Sequence, residues 1–292
     1  MINQKSLTLS SATYLKPGCV NPLRIGIGMI NSPNIPKYAH YSTLLNYMYA
    51  TKHSYDFIIN RCPDDTDIDW KWDPENEYTS VWYKPEFIKK YLQYYHIFVF
   101  IDSDAYFKDI EKSVEDFLKE EDKNGDEALI YIAEDCKDKK ICWTTGPNTG
   151  VIIAKNTPKT FKILDDWIKA PQTDLCKSWK YKHTREQGCL WDLKNAKYSK
   201  EIKIVKPATK LGTHDGDWIV HLAATSSSFR ETYFGDIIKK VFYDNFKETK
   251  SDIDNFKKKS DINYSSINIT NMICIILAIL CILILFIILS LK

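Results

Sequence analysis

One segment of the chain, residues 97–105, constrains the possible folds more than any other. It reads Ile-Phe-Val-Phe-Ile-Asp-Ser-Asp-Ala, so an apolar run leads directly into two carboxylates, Asp102 and Asp104. An unbroken run of β-branched and aromatic residues is typical of a strand buried on both faces, as in parallel sheets. Because burying an unpaired charge is costly, we expect both carboxylates at the carboxyl end of this strand. In open α/β sheets, ligands bind at that edge.

Two hard oxygen donors at a strand end suit Mg²⁺ or Mn²⁺, with a diphosphate supplying further oxygens. The Asp-x-Asp spacing by itself is a weak signal, and the alternative is a strand-end pair that caps the next turn. The same spacing recurs, mostly in polar and turn-rich sequence, at Asp65/Asp67, Asp67/Asp69, Asp215/Asp217 and Asp252/Asp254. Only Asp102 and Asp104 follow a buried-strand pattern, so we place the metal or ligand there.

Composition permits a substantial core and argues against a nucleic-acid partner. The chain has 292 residues, of which 44% are hydrophobic and 13% aromatic, enough for one large domain or two small ones. Its 40 basic and 38 acidic residues leave a formal net charge of only +2. No basic stripe interleaved with aromatic residues is present, so we expect no nucleic-acid binding.

The cysteines leave the redox compartment open. There are 8 cysteines and no Cys-x-x-Cys pair, which argues against a zinc finger or ribbon. Cys136 and Cys142 are spaced to close a small disulfide loop in an oxidising compartment, and free thiols are the alternative.

The carboxyl terminus predicts a membrane anchor. Residues 272–289 are 18 consecutive apolar residues without a charge, a length of about 27 Å as a helix, which is close to the hydrocarbon thickness of a bilayer. The lysines at 257–259 precede this segment and a single lysine follows it, a bias that predicts a cytoplasmic main domain. The sequons at Asn263 and Asn268 point instead to the lumenal side, which therefore stays open.

The rest of the chain reads as one α/β domain. We expect a polar lead-in without a signal peptide over 1–21, the domain over 22–245 and a polar linker over 246–271. Strands alternate with helices, which predicts a mostly parallel sheet flanked by helices. Gly26 and Gly28 in the first strand would let a ligand or another backbone approach closely, and we group them with the cofactor-binding candidates.

Known phosphate-binding loops are missing. There is no Walker A sequence, and Gly26 and Gly28 lack the third glycine of the dinucleotide fingerprint, where Asn31 stands. Any phosphate chemistry therefore needs a metal rather than a glycine-rich loop.

Several segments together resemble one family, the retaining GT-A glycosyltransferases of the galactosyl, mannosyl and xylosyl transferase group (glycosyltransferase family 34). The resemblance covers about residues 22–245 and is most specific around Asp102 to Ala105 and around Asn148. The matching segments are 41–58, 81–107, 148–156, 185–193 and 217–224. The resemblance implies a Rossmann-like GT-A fold, a nucleotide-sugar donor and Mn²⁺ or Mg²⁺.

The resemblance also implies a metal site. Asp104 matches the direct metal ligand, Asp102 matches the residue that binds metal and the nearby ribose, and His221 matches the late histidine that completes the site. A neutral imidazole with two carboxylates suits Mn²⁺. The alternatives are that the backbone satisfies His221 at a strand end, or that His214 is the ligand.

Four further residues are implied near the donor sugar. Asn148 and Gly150 match the segment that lines the sugar, and the alternative for them is a simple turn before a strand. Glu186 and Gln187 match an acid and amide pair beside the reacting sugar, where a carboxylate would stabilise positive charge. The alternative for this pair is a solvated helix face.

Two departures from the family pattern affect the functional interpretation. Ser226 stands where the family has a basic residue shortly after the histidine, and Arg230 is a possible substitute. We expect a C-terminal anchor in place of the family's usual N-terminal one. We expect a membrane-anchored, single-pass, retaining transferase that moves a hexose or pentose from a UDP- or GDP-linked sugar to a glycan or protein hydroxyl. The alternatives are an inverting GT-A enzyme with Asp215 or Asp217 as base, or a catalytically lapsed nucleotide-sugar-binding protein.

Overall fold

The computed structural model describes residues 23–31, 37–61, 80–123, 125, 127–180, 182–241 and 243. The chain divides into two compact units, Met1–Ile238 and Lys239–Lys292, and the description that follows concerns the first. The predicted lead-in, linker and membrane anchor (1–21, 246–271 and 272–289) lie outside the described residues. Within the described residues, no helix has the length and apolar character needed to cross a bilayer.

Strands and helices alternate through most of this unit. In chain order the main elements are β1 (Ile25–Asn31), α1 (Tyr38–Lys52), β2 (Asp56–Arg61), α2 (Lys84–Leu92), β3 (Ile97–Ile101), β4 (Ala105–Phe107), α3 (Val114–Glu121), β5 (Ile130–Cys136), β6 (Cys142–Lys155), α4 (Pro158–Lys169), α5 (Arg185–Lys197), β7 (Ile202–Val205) and β8 (Ile219–His221). A last helix, α6, begins at residue 227.

Six of these strands form one mixed sheet in the order β2-β1-β3-β6-β5-β7. Strand β1 pairs in parallel with β2 and β3, and β5 pairs in parallel with β7. Strand β6 is antiparallel to both of its neighbours, β3 and β5. All of the strands except β6 therefore run in one direction, which confirms the predicted α/β sheet and adds one reversed strand at its centre.

The remaining two strands, β4 and β8, form a small antiparallel sheet in which Ala105 is paired with His221. This pairing joins the segment after β3 to a strand more than a hundred positions later in the chain. The amide of Leu222 donates to the carbonyl of Asp104 at 2.9 Å and extends the pairing. The backbone alone therefore brings His221 beside the predicted carboxylates.

Both faces of the central sheet are covered by apolar side chains. Along β3, Phe98 and Phe100 pack on one face, while Val99 and Ile101 pack on the other. Helices α2, α4 and α5 contribute to the first face, and helices α1 and α3 contribute to the second. The prediction of a strand buried on both faces is confirmed.

The glycines of β1 make room for aromatic rings of this core. A Cβ at Gly26 would lie 2.7 Å from the Tyr95 ring, and one at Gly28 would lie 2.4 Å from the Phe98 ring. The close approach expected at these glycines is therefore made by core side chains, on the side where a Cβ would stand. A contact between the donor and Gly26 or Gly28 stays a prediction.

Four of the cysteines form two disulfides. Cys136 is joined to Cys142 across the hairpin between β5 and β6, and Cys176 is joined to Cys189 on α5. The first pair is the disulfide alternative left open by the sequence.

Candidate metal and sugar-nucleotide site

The two carboxylates lie where β3 ends. The amide of Asp102 donates to the carbonyl of Gly150 at 2.7 Å, which ties the strand end to β6. Asp104 is buried, and Asp102 is partly exposed. The strand-end placement predicted for this pair is confirmed.

His221 completes a cluster of three groups that could ligate a metal ion. Its Nε2 lies 3.2 Å from Oδ1 of Asp104 and 4.0 Å from Oδ2 of Asp102. One ligand atom from each of the three residues lies within 4.8 Å of the others. A Cβ at Gly150 would lie 2.1 Å from the imidazole, so only glycine leaves room for His221 here.

The rival histidine lies elsewhere. Nε2 of His214 contacts the carbonyl of Ala223 at 2.7 Å, so the backbone satisfies this ring. The nearby Asp217 pairs with Lys139, and Asp215 accepts from the amide of Lys139. Among the described residues, the structure therefore brings His221, and not His214, to the carboxylates.

Two cations neutralise these carboxylates, and sequence reasoning missed one of them. Buried Lys84, at the start of α2, places Nζ 2.9 Å from Oδ2 of Asp102 and 3.3 Å from Oε1 of Glu186. Arg230, on α6, places Nη2 2.8 Å from Oδ2 of Asp104. We call this group of acids and bases the charged cluster; its members are Asp102, Asp104, Glu186, His221, Lys84 and Arg230.

The pKa shifts in the charged cluster have clear physical causes. Burial raises the pKa of Asp102, and the neighbouring Lys84 ammonium offsets only part of that effect. Burial also acts on Asp104, but His221 and Arg230 outweigh it and hold the pKa of this carboxyl below its usual range. Burial opposes the charged form of His221, yet the Asp104 carboxylate raises the pKa of the imidazole. The metal-free site therefore favours a proton on His221 facing an ionised Asp104.

Arg230 is held by a network of its own. Its Nε donates to the carbonyl of Leu222 at 3.2 Å, and its Nη1 donates to the hydroxyl of Tyr38 at 2.9 Å. Ser226 instead accepts from the amide of Phe229 in the first turn of α6. The cation at this side of the site is therefore Arg230, four positions beyond the serine that replaces the expected basic residue.

A second group of polar residues contains amides rather than cations. The buried carboxylate of Asp135 accepts from Nδ2 of Asn148 at 2.9 Å and from Nε2 of Gln187 at 3.1 Å. The amide oxygens accept in turn, Asn148 from the Gly150 amide at 2.9 Å and Gln187 from the Thr149 amide at 3.2 Å. We call Asp135, Asn148 and Gln187 the amide network.

The structure corrects two of the alternative interpretations. Asn148 and Gly150 lie within the long strand β6, so the simple turn before a strand is wrong. Glu186 is buried, and its carboxylate also accepts from the Thr149 hydroxyl at 2.8 Å, so this residue is not on a solvated helix face. Asp135 was not among the sequence candidates; it lies inside β5, one residue before the end of that strand at Cys136.

The residues present fit a divalent cation. Two carboxylates and an imidazole form a suitable donor set for Mn²⁺ or Mg²⁺. Within the described part of the chain, one other group of potential ligands comes together, at Glu134, Cys136 and Cys142. Its two sulfur atoms are joined in a disulfide, so they offer no thiolates.

Comparisons with known proteins identify the fold. No family model matches the chain, and no curated protein matches it. The structure is similar to that of a glycosyltransferase involved in the glycosylation of the major capsid of PBCV-1, with a TM-score of 0.55 and 17% identity over 73% of this chain and 99% of that one. The bifunctional glycosyltransferase WbbM aligns at a TM-score of 0.41 and 12% identity, covering 71% of this chain and 47% of that one. Mouse xyloside xylosyltransferase 1 aligns at 0.38 and 12% identity, covering 63% and 85%. The comparison with the PBCV-1 enzyme shows that this chain shares the fold of that protein.

Proposed function

We propose that this protein is a metal-dependent glycosyltransferase that moves a hexose or pentose from a UDP- or GDP-linked sugar to a hydroxyl of a glycan or protein. One observation carries the proposal: Asp102, Asp104 and His221 converge at the carboxyl edge of the sheet, in a fold shared with a glycosyltransferase. Membership in glycosyltransferase family 34 stays a prediction from the sequence segments.

The three converging residues would hold the cation. When bound, Mn²⁺ or Mg²⁺ would neutralise charge on the donor's diphosphate. Asp102 is the more exposed of the two carboxylates, which suits its predicted contact with the ribose. Arg230 brings a positive charge to the same side and takes the role of the missing basic residue.

The sugar would lie toward β6 and α5. Asn148, Gly150, Glu186 and Gln187 meet there, and the amide network fixes the backbone between Asn148 and Gly150. Lys84 bridges Asp102 and Glu186 and so supplies a counter-charge to the buried carboxylate of Glu186. That carboxylate would stabilise positive charge developing at C1 of the sugar.

We propose retention of configuration at C1. The acceptor oxygen bonds to C1 on the face from which the diphosphate leaves, the bond from C1 to the phosphate oxygen breaks, and the acceptor's proton passes to that oxygen. An inverting enzyme would need a base beside the acceptor. The candidates Asp215 and Asp217 make polar contacts with Lys139. The anomeric configuration of the product, read by NMR, distinguishes the two outcomes.

We also propose that residues 272–289 anchor the protein in a membrane as a single-pass helix. Two disulfides in the domain are typical of an oxidising compartment, in agreement with the lumenal sequons. The lysines at 257–259 predict the opposite side. Protease protection of the full chain in microsomes, with and without detergent, assigns the side.

The test of the proposed activity is a donor-hydrolysis screen. The full chain in detergent is incubated with a set of UDP- and GDP-sugars, with Mn²⁺ and with chelator, beside the Asp104→Asn variant. We expect at least one donor to be hydrolysed with Mn²⁺ only, and Asp104→Asn to lose that activity. Binding of UDP or GDP with Mn²⁺ but hydrolysis of no donor would support the catalytically lapsed nucleotide-sugar-binding protein instead. Absence of both hydrolysis and binding heat would overturn the proposed donor site.

A further inference from the structure

An exposed tryptophan, Trp143, lies beside the hairpin that follows Asp135 of the amide network. Strands β5 and β6 are joined by a hairpin that the Cys136–Cys142 disulfide closes. Trp143 and Ile141 flank Cys142 of the disulfide in the chain, and they are 42% and 49% exposed. A large aromatic side chain held on a cross-linked hairpin is a stable flat surface that the core does not use.

A hydrogen bond links this hairpin to the loop before β8, the strand that carries His221. The amide of His214 donates to the carbonyl of Lys137 in the hairpin at 2.8 Å, and the His214 ring contacts the carbonyl of Ala223 at 2.7 Å. The rings of Trp143 and His214 meet edge to face, with centroids 6.3 Å apart. In the same loop, the carbonyl of Thr213 accepts from the amide of His221 at 3.1 Å. Through the His214 ring, Trp143 therefore contacts the loop whose Thr213 carbonyl accepts from the His221 amide.

The hairpin also continues directly from the amide network. Asp135 holds Asn148 and Gln187, and the next residue in the chain, Cys136, begins the cross-linked hairpin. Trp143 is thus joined through β5 and β6 to the two amide side chains that are proposed to line the donor sugar. Polar groups border the same region, because Lys139 contacts both Asp215 and Asp217 in the loop.

This combination of groups suits a sugar ring. A pyranose has an apolar C–H face and a rim of hydroxyls, and the indole offers a broad face with negative charge density at its centre. The neighbouring carboxylates and ammonium can hydrogen-bond to the hydroxyl rim. A protein surface would need a much larger contact area than one exposed indole and its neighbours provide.

We propose that Trp143 is a stacking platform for the acceptor, and that the acceptor is therefore a saccharide rather than a bare protein hydroxyl. The inference rests on the proposed function, because it takes the charged cluster and the amide network as the donor side.

Saturation-transfer NMR tests the platform directly. The probes are the methyl pyranosides of glucose, galactose, mannose and xylose, each added to the full chain in detergent with Mn²⁺ and UDP or GDP. We expect at least one probe to receive saturation from the wild-type protein. Trp143→Ala should weaken this binding about three- to ten-fold, the size of one aromatic contact, while Trp143→Phe should keep most of it. The matched control is Tyr47→Ala, an exposed aromatic residue on α1 that packs against Phe57 of the edge strand β2.

The same samples separate this inference from the proposed function, because the nucleotide is titrated in each of them. The platform is overturned if no pyranoside binds, or if Trp143→Ala binds as well as the wild type while the nucleotide still binds with Mn²⁺. Equal losses of nucleotide and pyranoside binding in Trp143→Ala would indicate a purely structural residue and would also overturn it.

Discussion

The charged cluster and the amide network lie side by side but stabilise their carboxylates in different ways. In the charged cluster each acid faces a cation, as Asp102 does with Lys84 and Asp104 with Arg230. In the amide network, the donors to Asp135 within the described part of the chain are the neutral N–H groups of Asn148 and Gln187. Cations and protons can exchange with a metal or a diphosphate, whereas a hydrogen-bonded amide network holds its side chains in one arrangement before a ligand binds. The charged cluster can therefore change its protonation and its ion pairs when a ligand binds, whereas the amide network keeps a fixed geometry.

The largest expected effect comes from removing the buried cation. Lys84→Met leaves Asp102 and Glu186 without their shared partner, and stranding buried charge costs about 3–5 kcal/mol. Urea unfolding of the two proteins measures the difference. The control is Lys89→Met, which breaks an exposed pair with Asp165 and should cost at most about 1 kcal/mol. Equal small losses in both variants would show that Lys84 is not a buried counter-ion.

The next effect concerns Gly150, which touches both regions: its amide donates to Asn148, and its lack of a Cβ leaves room for His221. In Gly150→Ala the new Cβ would collide with the His221 ring, so the imidazole must move away from Asp104. We expect Mn²⁺-dependent nucleotide binding to weaken about 10- to 100-fold, as when a supporting residue of a metal site is lost. Gly235→Ala, where the nearest atom is 3.9 Å from the new Cβ, should leave the binding unchanged. Isothermal titration with UDP or GDP and Mn²⁺ gives both values.

A smaller effect is expected in the amide network. Asp135→Asn places an N–H group against the side-chain amides of Asn148 and Gln187, so at least one buried hydrogen bond is lost, at a cost of about 1–3 kcal/mol. Because the donors to Asp135 are neutral amides, the loss of stability should depend little on the salt concentration. Thermal unfolding at two salt concentrations tests this, with the exposed Asp174→Asn as control. A strong salt dependence would contradict the division between the two regions.

The smallest effect is a pH dependence of the metal-free protein. The pKa of His221 lies above its ordinary value of 6.5, so its pairing with Asp104 contributes full stability below that pH and loses it as the pH rises through the folded-state pKa. The amide network contains no histidine and should not follow this change. Unfolding free energies measured with chelator between pH 6 and pH 9 should fall more steeply for the wild type than for His221→Gln. Parallel curves would refute the pairing.

Local sequence pattern predicted the strand-borne part of the site. The apolar run before Asp102 identified β3, whereas Asp135, one residue before the end of β5, was not singled out. Lys84 was missed because a lysine in the first turn of a helix usually points to solvent. Its burial arises only when α2, β3 and α5 pack together.

Long-range pairing explains what local pattern could not decide. His214 and His221 have the same chemistry, and the pairing of β4 with β8 alone places His221 beside Asp104. The position of Arg230 likewise depends on how α6 packs against Tyr38, which no local spacing encodes.

The central claim is that Asp102, Asp104 and His221 hold a divalent cation together with a nucleoside diphosphate. Isothermal titration of the full chain with UDP and with GDP, in Mn²⁺ and in chelator, tests it most directly. We predict that one nucleotide binds with Mn²⁺ and at least about tenfold more weakly without it, and that Asp104→Asn and His221→Gln both abolish the difference. Nucleotide binding that is equally strong in chelator, or unchanged in both variants, would contradict the claim.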